Sequence, residues 1–225
     1  MLADKGNGNY AYIDSVREAR KVLVEQVQGT LITVAKDVKL QLEFNPSAVL
    51  AFRLIGYENR VLAHSDFHDD SKDAGEIGAD HTVTAFYELV PAGGQRPGGV
   101  PAPLKYQPPA AKPQRADHPG ELLTLQLRFK LPEDDRSQLQ ELVVHEPDGR
   151  LDLRNAAPDF RFGAAVAAFG MLLRDSPHRG SASYEQVLEL AQSAVAAGRD
   201  QPARAEFIEL VRKAWKIDQL ANDSP

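Results

Sequence analysis

With 225 residues, 43% of them hydrophobic and 26% charged, the chain is long enough to bury a core without disulfide or metal staples. A formal charge of −6 argues against a nucleic-acid binder, which carries a basic face. The absence of cysteine excludes disulfide scaffolds, thiolate zinc sites and cysteine nucleophiles. No run approaches the roughly 18 apolar residues of a membrane-spanning helix, and the opening MLADKGNGNY lacks the layout of a signal peptide.

Residues 1–30 read as a short strand and a helix. A Gly/Asn turn precedes YAYI, and Asp14 or Ser15 is placed to cap a helix. Val16, Ala19, Leu23 and Val27 then recur at helical spacing, and Gly29 sits where a left-handed C-cap belongs. One strand and one amphipathic helix cannot bury both their faces. They require a parallel sheet beside them, and no second such unit follows in the sequence.

Residues 31–150 change character. LITVAKDVKLQLEF, VLAFRLIGYENR, HTVTAFYELV, LLTLQLRFKL and LQELVVHE are β-branched or aromatic runs. Val38, Leu40, Leu42 and Phe44 alternate with Lys39, Gln41 and Glu43, the pattern of an antiparallel strand with one wet face. Five or more such strands without an intervening helix predict a β-sandwich. Residues 91–120 interrupt them with eight prolines and five glycines, an extended Pro/Gly loop between two strands.

From residue 151 the period becomes helical and predicts a three-helix end-piece. Phe162, Val166, Phe169 and Leu173 form one stripe. Tyr184, Val187, Leu188 and Ala191 form a second, with Ser183 as its cap. Phe207, Leu210, Val211 and Ala214 form a third, opened by Pro202. The small residues of GAAVAAFG predict close approach to a neighbouring helix, and Trp215 is expected to pack where helices meet the sheet.

Several segments in this order, LADKGNGNYAYIDS, FRLIGYENR, DAGEIGADHTVTAFYELVP, RFGAAVAAFGMLLR and RAEFIELVRKAW, carry a resemblance. The chain resembles, over nearly its whole length, the C-terminal region of bacterial von Willebrand factor A domain proteins of the YfbK type. DAGEIGADHTVTAFYE is the most specific part of that resemblance. It implies that residues 1–30 are the last strand and helix of an upstream A domain, and that the remainder is the family's own uncharacterised C-terminal region. It also implies a protein of the bacterial envelope, anchored on the periplasmic side through an upstream segment, although a cytoplasmic place remains compatible with the sequence. The DxSxS loop of the A domain's metal-ion-dependent adhesion site does not occur in this sequence, so none of that site's ligands carries over.

The richest chemistry lies in HSDFHDDSKDAGEIGADH, residues 64–81, with six acids and three of the six histidines. Asp66, Asp69, Asp70 and Asp73 offer the carboxylate oxygens that a hard cation such as Ca²⁺ or Mg²⁺ needs, and His64 and His68 add nitrogens suited to Zn²⁺. The spacing is neither an EF-hand loop nor HExxH, so a solvated acidic connection between strands explains the stretch better than a metal site does. Gly75 and Gly78 permit a defined loop conformation there. GNGNYA matches the small-residue spacing of a dinucleotide fingerprint, but a strand follows it where a helix must open. Arg53, Glu58 and Arg60 alternate with apolar neighbours, Tyr57 and Glu58 lie beside Gly56, and a partly buried Arg–carboxylate pair with Asp73 or Glu76 as partner would clamp the acidic loop to the sheet.

The expected architecture is therefore α+β: an antiparallel β-sandwich over 31–150, a three-helix end-piece over 151–225, and a strand–helix remnant of an A domain in front. The expected function is a non-catalytic protein–protein interaction or assembly region without a cofactor, whose partner is its own upstream A domain or another envelope protein. Arg53, Tyr57, Glu58, Arg60, Asp73, Glu76 and His81 are the candidate partner-binding residues. The alternative is a divalent-metal module or metal-dependent hydrolase using His64, Asp66, His68, Asp69, Asp70 and Asp73.

Overall fold

The structure, a computed structural model, describes residues 11–26, 32–56, 63–72, 74–94, 118–146, 152–196 and 202–222. It is a mixed α/β protein with antiparallel sheets, and it divides into two compact units, residues 1–146 and 147–225.

The first unit opens with a short helix, α1 (Val16–Arg20), continued by a π-helical turn (Lys21–Glu25). Ser15 caps it, its Oγ accepting the Glu18 N–H at 3.1 Å and so satisfying an orphan donor of the first turn. Residues 11–14 are irregular where a strand was expected. The predicted apolar stripe is present but bare: Val16 is 89% exposed and Leu23 64%. Val27 and Gly29 lie outside the described residues.

Among the described residues six strands follow: β1 (Thr33–Phe44), β2 (Val49–Ile55), β3 (Gly75–Gly78), β4 (Phe86–Pro91), β5 (Glu121–Lys130) and β6 (Ser137–His145). β3, β1, β5 and β6 form one antiparallel sheet in that order, and β2 pairs with β4 in a second. The chain passes between the sheets at a turn controlled by Asn45. Its Nδ2 donates to the carbonyls of Glu121 (2.7 Å) and His118 (3.1 Å), while its Oδ1 accepts the Ser47 N–H at 2.9 Å. Either side of that turn Phe44 and Val49 are buried, and the Phe44 ring stacks on Phe52 with centroids 4.2 Å apart. β3 was missed by the sequence reading because four residues bounded by glycines show no periodicity. Residues 81–85 of the expected HTVTAFYELV strand are irregular, pairing beginning only at Phe86. Of the Pro/Gly loop, residues 95–117 lie outside the described residues.

A bulge in β1 decides what the larger sheet presents. Lys36 pairs with Lys130 and Lys39 with Arg128, so three steps on β1 match two on β5. The extra residue places Lys36 and Lys39 on the same face, where strict alternation would separate them. Asp37 absorbs the irregularity with φ 51°, a left-handed conformation that Asp tolerates better than most residues. Lys36, Lys39, Arg128 and Lys130 therefore share one face, and Leu42, Leu125 and Leu142 line up in register on the other.

In the second unit three helices, α2 (Pro158–Leu173), α3 (Tyr184–Ala196) and α4 (Pro202–Asn222), surround a core of Ala165, Phe169, Val187, Leu188, Ala191, Ile208 and Val211. Ser183 caps α3 as expected, its Oγ accepting the Gln186 N–H at 3.3 Å. The buried stripe of α2 runs through Phe162, Ala165, Phe169 and Leu172, while Val166 and Leu173 are exposed. Both series have helical spacing; Ala165 turns inward because a methyl admits the close approach that GAAVAAFG predicted. Phe207 meets Phe162 and Phe169 edge-on at 5.2 and 5.5 Å. Trp215 packs against this helical core, and Leu210, expected on the buried stripe of α4, is exposed.

Candidate interaction surface: an acidic loop clamped to a basic sheet face

The wet face predicted for β1 is occupied. Lys39 is only 3% exposed, because residues 63–72 fold over it and bury Phe67 beside it. A ³₁₀ turn (His64–Asp66) begins this segment. The Lys39 ammonium donates to the main-chain carbonyls of Asp66, at 3.3 Å, and Asp69. A buried ammonium is tolerated when such acceptors replace its water.

Two further cations complete the clamp. Arg128 Nη2 donates to both carboxylate oxygens of Asp70 at 3.0 Å, and its Nη1 lies 3.4 Å from His68 Nδ1. Ser137 at the start of β6 donates its hydroxyl to the same carboxylate. Lys130 donates to Asp37 Oδ2 at 2.7 Å and to the Asp70 carbonyl at 3.4 Å. The Ser137 hydroxyl, with Arg128, holds the Asp70 carboxyl below the usual carboxylate range despite partial desolvation. Burial works against ionisation of Asp37, but the Lys130 hydrogen bond and the Ala74 N–H outweigh it and lower its pKa. Lys130 is correspondingly raised by its bond to Asp37.

The remaining acids of the loop are also engaged by the chain's own donors. Asp69 Oδ1 accepts the Ser71 hydroxyl at 2.6 Å and the Ser71 N–H at 2.9 Å, which together lower its pKa. Asp66 accepts the Ser65 hydroxyl at 3.2 Å. Asp73 lies outside the described residues. Among the described residues no group of three or more acids and histidines is arranged to hold a metal ion. The geometry here is that of a loop neutralised by lysine and arginine.

Of the candidate partner-binding residues, Arg53 lies on β2, and the carboxylate opposite it across the register is Glu88 on β4, 3.1 Å from Nε. Of the two carboxylates that the sequence pattern points to, Asp73 lies outside the described residues. Glu76 sits on β3, and exposed His81 follows it, its N–H bonded to the Gly78 carbonyl. Tyr57, Glu58 and Arg60 lie outside the described residues. His118 Nδ1 stands 3.5 Å from Glu121 Oε1 in a cleft of about 360 Å³ that Glu43 and Glu141 also line. His118 is open to solvent and Glu121 partly so, which makes the pair an ordinary surface contact.

The clamp residues Lys39, Arg128, Lys130 and Ser137 were missing from the sequence reading. Their signal was the run of alternate cations on β5, but the matching cations on β1 are three apart and hide behind the bulge.

A family model described as "Uncharacterized protein YfbK, C-terminal" matches residues 29–217. The chain belongs to the YfbK C-terminal family. A curated relative, "Uncharacterized protein YfbK" of Escherichia coli (strain K12), is 44% identical over 221 residues. That alignment covers 98% of this chain and 36% of the relative, so the chain spans about a third of the protein it resembles. The YfbK family was the one named from the sequence, and its model begins just beyond the α1 segment. No solved structure matches the chain.

Proposed function

We propose that this chain is a non-catalytic interaction or assembly region that accompanies a von Willebrand factor A domain in the bacterial envelope. Its partner is its own upstream A domain or another envelope protein, and its anchor is an upstream segment. The observation that carries this reading is the bare stripe on the segment preceding the family match. Val16, Leu23 and Val24 are exposed together with Tyr12 and Ile13, as residues are that belong to the core of a neighbouring unit. The position of the family match, from residue 29, supports assigning what precedes it to a different domain. The relative's greater length leaves room for that domain.

The two sheets are read as the two layers of a β-sandwich, supported by the stacking of Phe44 against Phe52 and its contact with Tyr87. None of the described helices is long and apolar enough to cross a membrane, in keeping with an anchor elsewhere.

Hydrogen exchange over residues 16–26 tests the proposal. In this chain alone the amides should exchange nearly as fast as in an open peptide. Adding the N-terminal part of the E. coli relative, or measuring the corresponding helix in that whole protein, should slow them at least tenfold. Slow exchange in the isolated chain, or fast exchange in the whole relative, would sink the assignment. Turnover of any member of a hydrolase substrate panel would overturn its non-catalytic half.

A further inference from the structure

We infer that β6 is the contact strand of a homodimer, pairing antiparallel with β6 of a second copy about a two-fold axis at Leu142. This inference is independent of the A-domain reading and stands on different residues.

β6 is an edge of the four-stranded sheet, paired with β5 through an unbroken register from Leu123↔Val144 to Lys130↔Ser137. Among the described residues no strand lies on its other side. Natural edges are protected by shortness, proline, lysine or a bulge. The opposite edge, β3, has four residues, whereas β6 has nine and none of those devices within SQLQELVVH. Its mid-strand charge, Glu141, accepts a hydrogen bond from Gln126 Nε2 at 2.9 Å, on the β5 side, which draws it away from the open edge. Leu139 and Val143 are exposed on one face and Leu142, 58% exposed, on the other. An open ladder of N–H and C=O groups selects an extended strand as its occupant.

A second β6 matches that edge in length and, about one axis, in the pattern of its side chains. A two-fold axis normal to the sheet keeps each residue on its own face, so only residues of like parity can oppose one another. Centring the axis on Glu141 would set carboxylate against carboxylate. Centring it on Leu142 opposes Leu142 to its own copy, Glu141 to Val143 and Gln140 to Val144. Within each chain Leu42, Leu125 and Leu142 already lie side by side across β1, β5 and β6. The dimer continues that row through six leucines, and cross-strand apolar pairs of this kind stabilise a sheet.

The native sequence lacks cysteine, which makes the test clean. Sedimentation of the full chain should show a species of twice 24.7 kDa that dissociates on dilution. Leu142→Cys should cross-link to itself on mild oxidation, since directly opposed residues have Cα atoms about 4.5–5.5 Å apart, within disulfide reach. Gln138→Cys should not, because its two copies would stand about 27 Å apart along the strands. Leu142→Glu and Leu142→Lys should each be monomeric with unchanged circular dichroism, and their mixture should restore the dimer. A chain that stays monomeric to 100-fold above the usual working concentration overturns the inference. So does a dimer indifferent to the two charge variants, or one that cross-links Gln138→Cys as fast as Leu142→Cys. The last two outcomes would place the contact on the helical unit or on the sheet faces.

Discussion

Lys39 shows how a single side chain can reverse the reading of its neighbours. It occupies a position that alternation assigns to solvent, yet it is buried and serves two carbonyls of a loop that is distant in sequence. Lys39→Met should destabilise the protein by about 1–3 kcal/mol by orphaning those carbonyls, read as a shift of the urea midpoint. The clamp also makes the loop sensitive to pH. Asp37 and Asp70 are held below the ordinary value of 3.8, so their contribution is complete above it and is lost as pH falls through the lowered values. Lys130 is held above its ordinary value of 10.5, so its contribution is present below that pH and is lost as pH rises through the raised value. Amide exchange of residues 63–72, corrected for intrinsic rates, should be flat between the two ordinary values, 3.8 and 10.5, and accelerate only outside them. Acceleration inside that window would overturn this account of the clamp. In the helical unit Arg204 is buried over Phe162, 4.7 Å from the ring centroid, and pairs with Asp159. Breaking the pair with Asp159→Ala should lower the melting temperature more than replacing the cation by Arg204→Met, because the first leaves a buried charge unpaired.

At the scale of elements, regular patterns were legible and irregular ones were not. β1, β5 and β6 announced themselves by alternation, and α3 by its Ser183 cap and apolar stripe. β3 is too short for periodicity, and the β1 bulge conceals which lysines share a face. The three-residue step from Lys36 to Lys39 reads as a change of side until the partner strand shows a two-residue step. The acidic loop was visible as chemistry, but its partners come from β1, β5 and β6, far away in sequence, and no local pattern joins them. On α2 the pattern gives Phe162 and Phe169 correctly but takes Val166 and Leu173 for their buried neighbours Ala165 and Leu172, because an alanine carries little apolar signal. Phe169→Ala should therefore cost about 3–5 kcal/mol, while Val166→Ala, on the exposed side, should stay within about 0.5 kcal/mol. Equal losses at the two positions in denaturant titrations would restore the stripe read from the sequence.

For the whole molecule, the two units differ in how they hold themselves together. The helical unit has a contiguous buried cluster contributed by all three helices. The sheet unit buries Phe44, Val49 and Phe67 among its large apolar side chains and relies more on strand pairing and the ionic clamp. Residues 147–225 expressed alone should keep a cooperative thermal transition by circular dichroism at 222 nm; a non-cooperative drift would show that the three helices depend on the rest of the chain.

The extra residue in β1 also makes gain and loss of a residue unequal events at this point of the sheet. Surface loops absorb insertions and deletions at small energetic expense, about 0.6 kcal/mol for each doubling of loop length. Losing one residue between Lys36 and Lys39 would leave two steps facing two, so the strand would pair regularly with both lysines still on one face, and only the left-handed kink at Asp37 would go. A residue gained there beside the same bulge would instead turn one side of the strand through the sheet and set a lysine against the leucine row. At this point the sheet can shorten and keep its faces, but it cannot lengthen by one and do so.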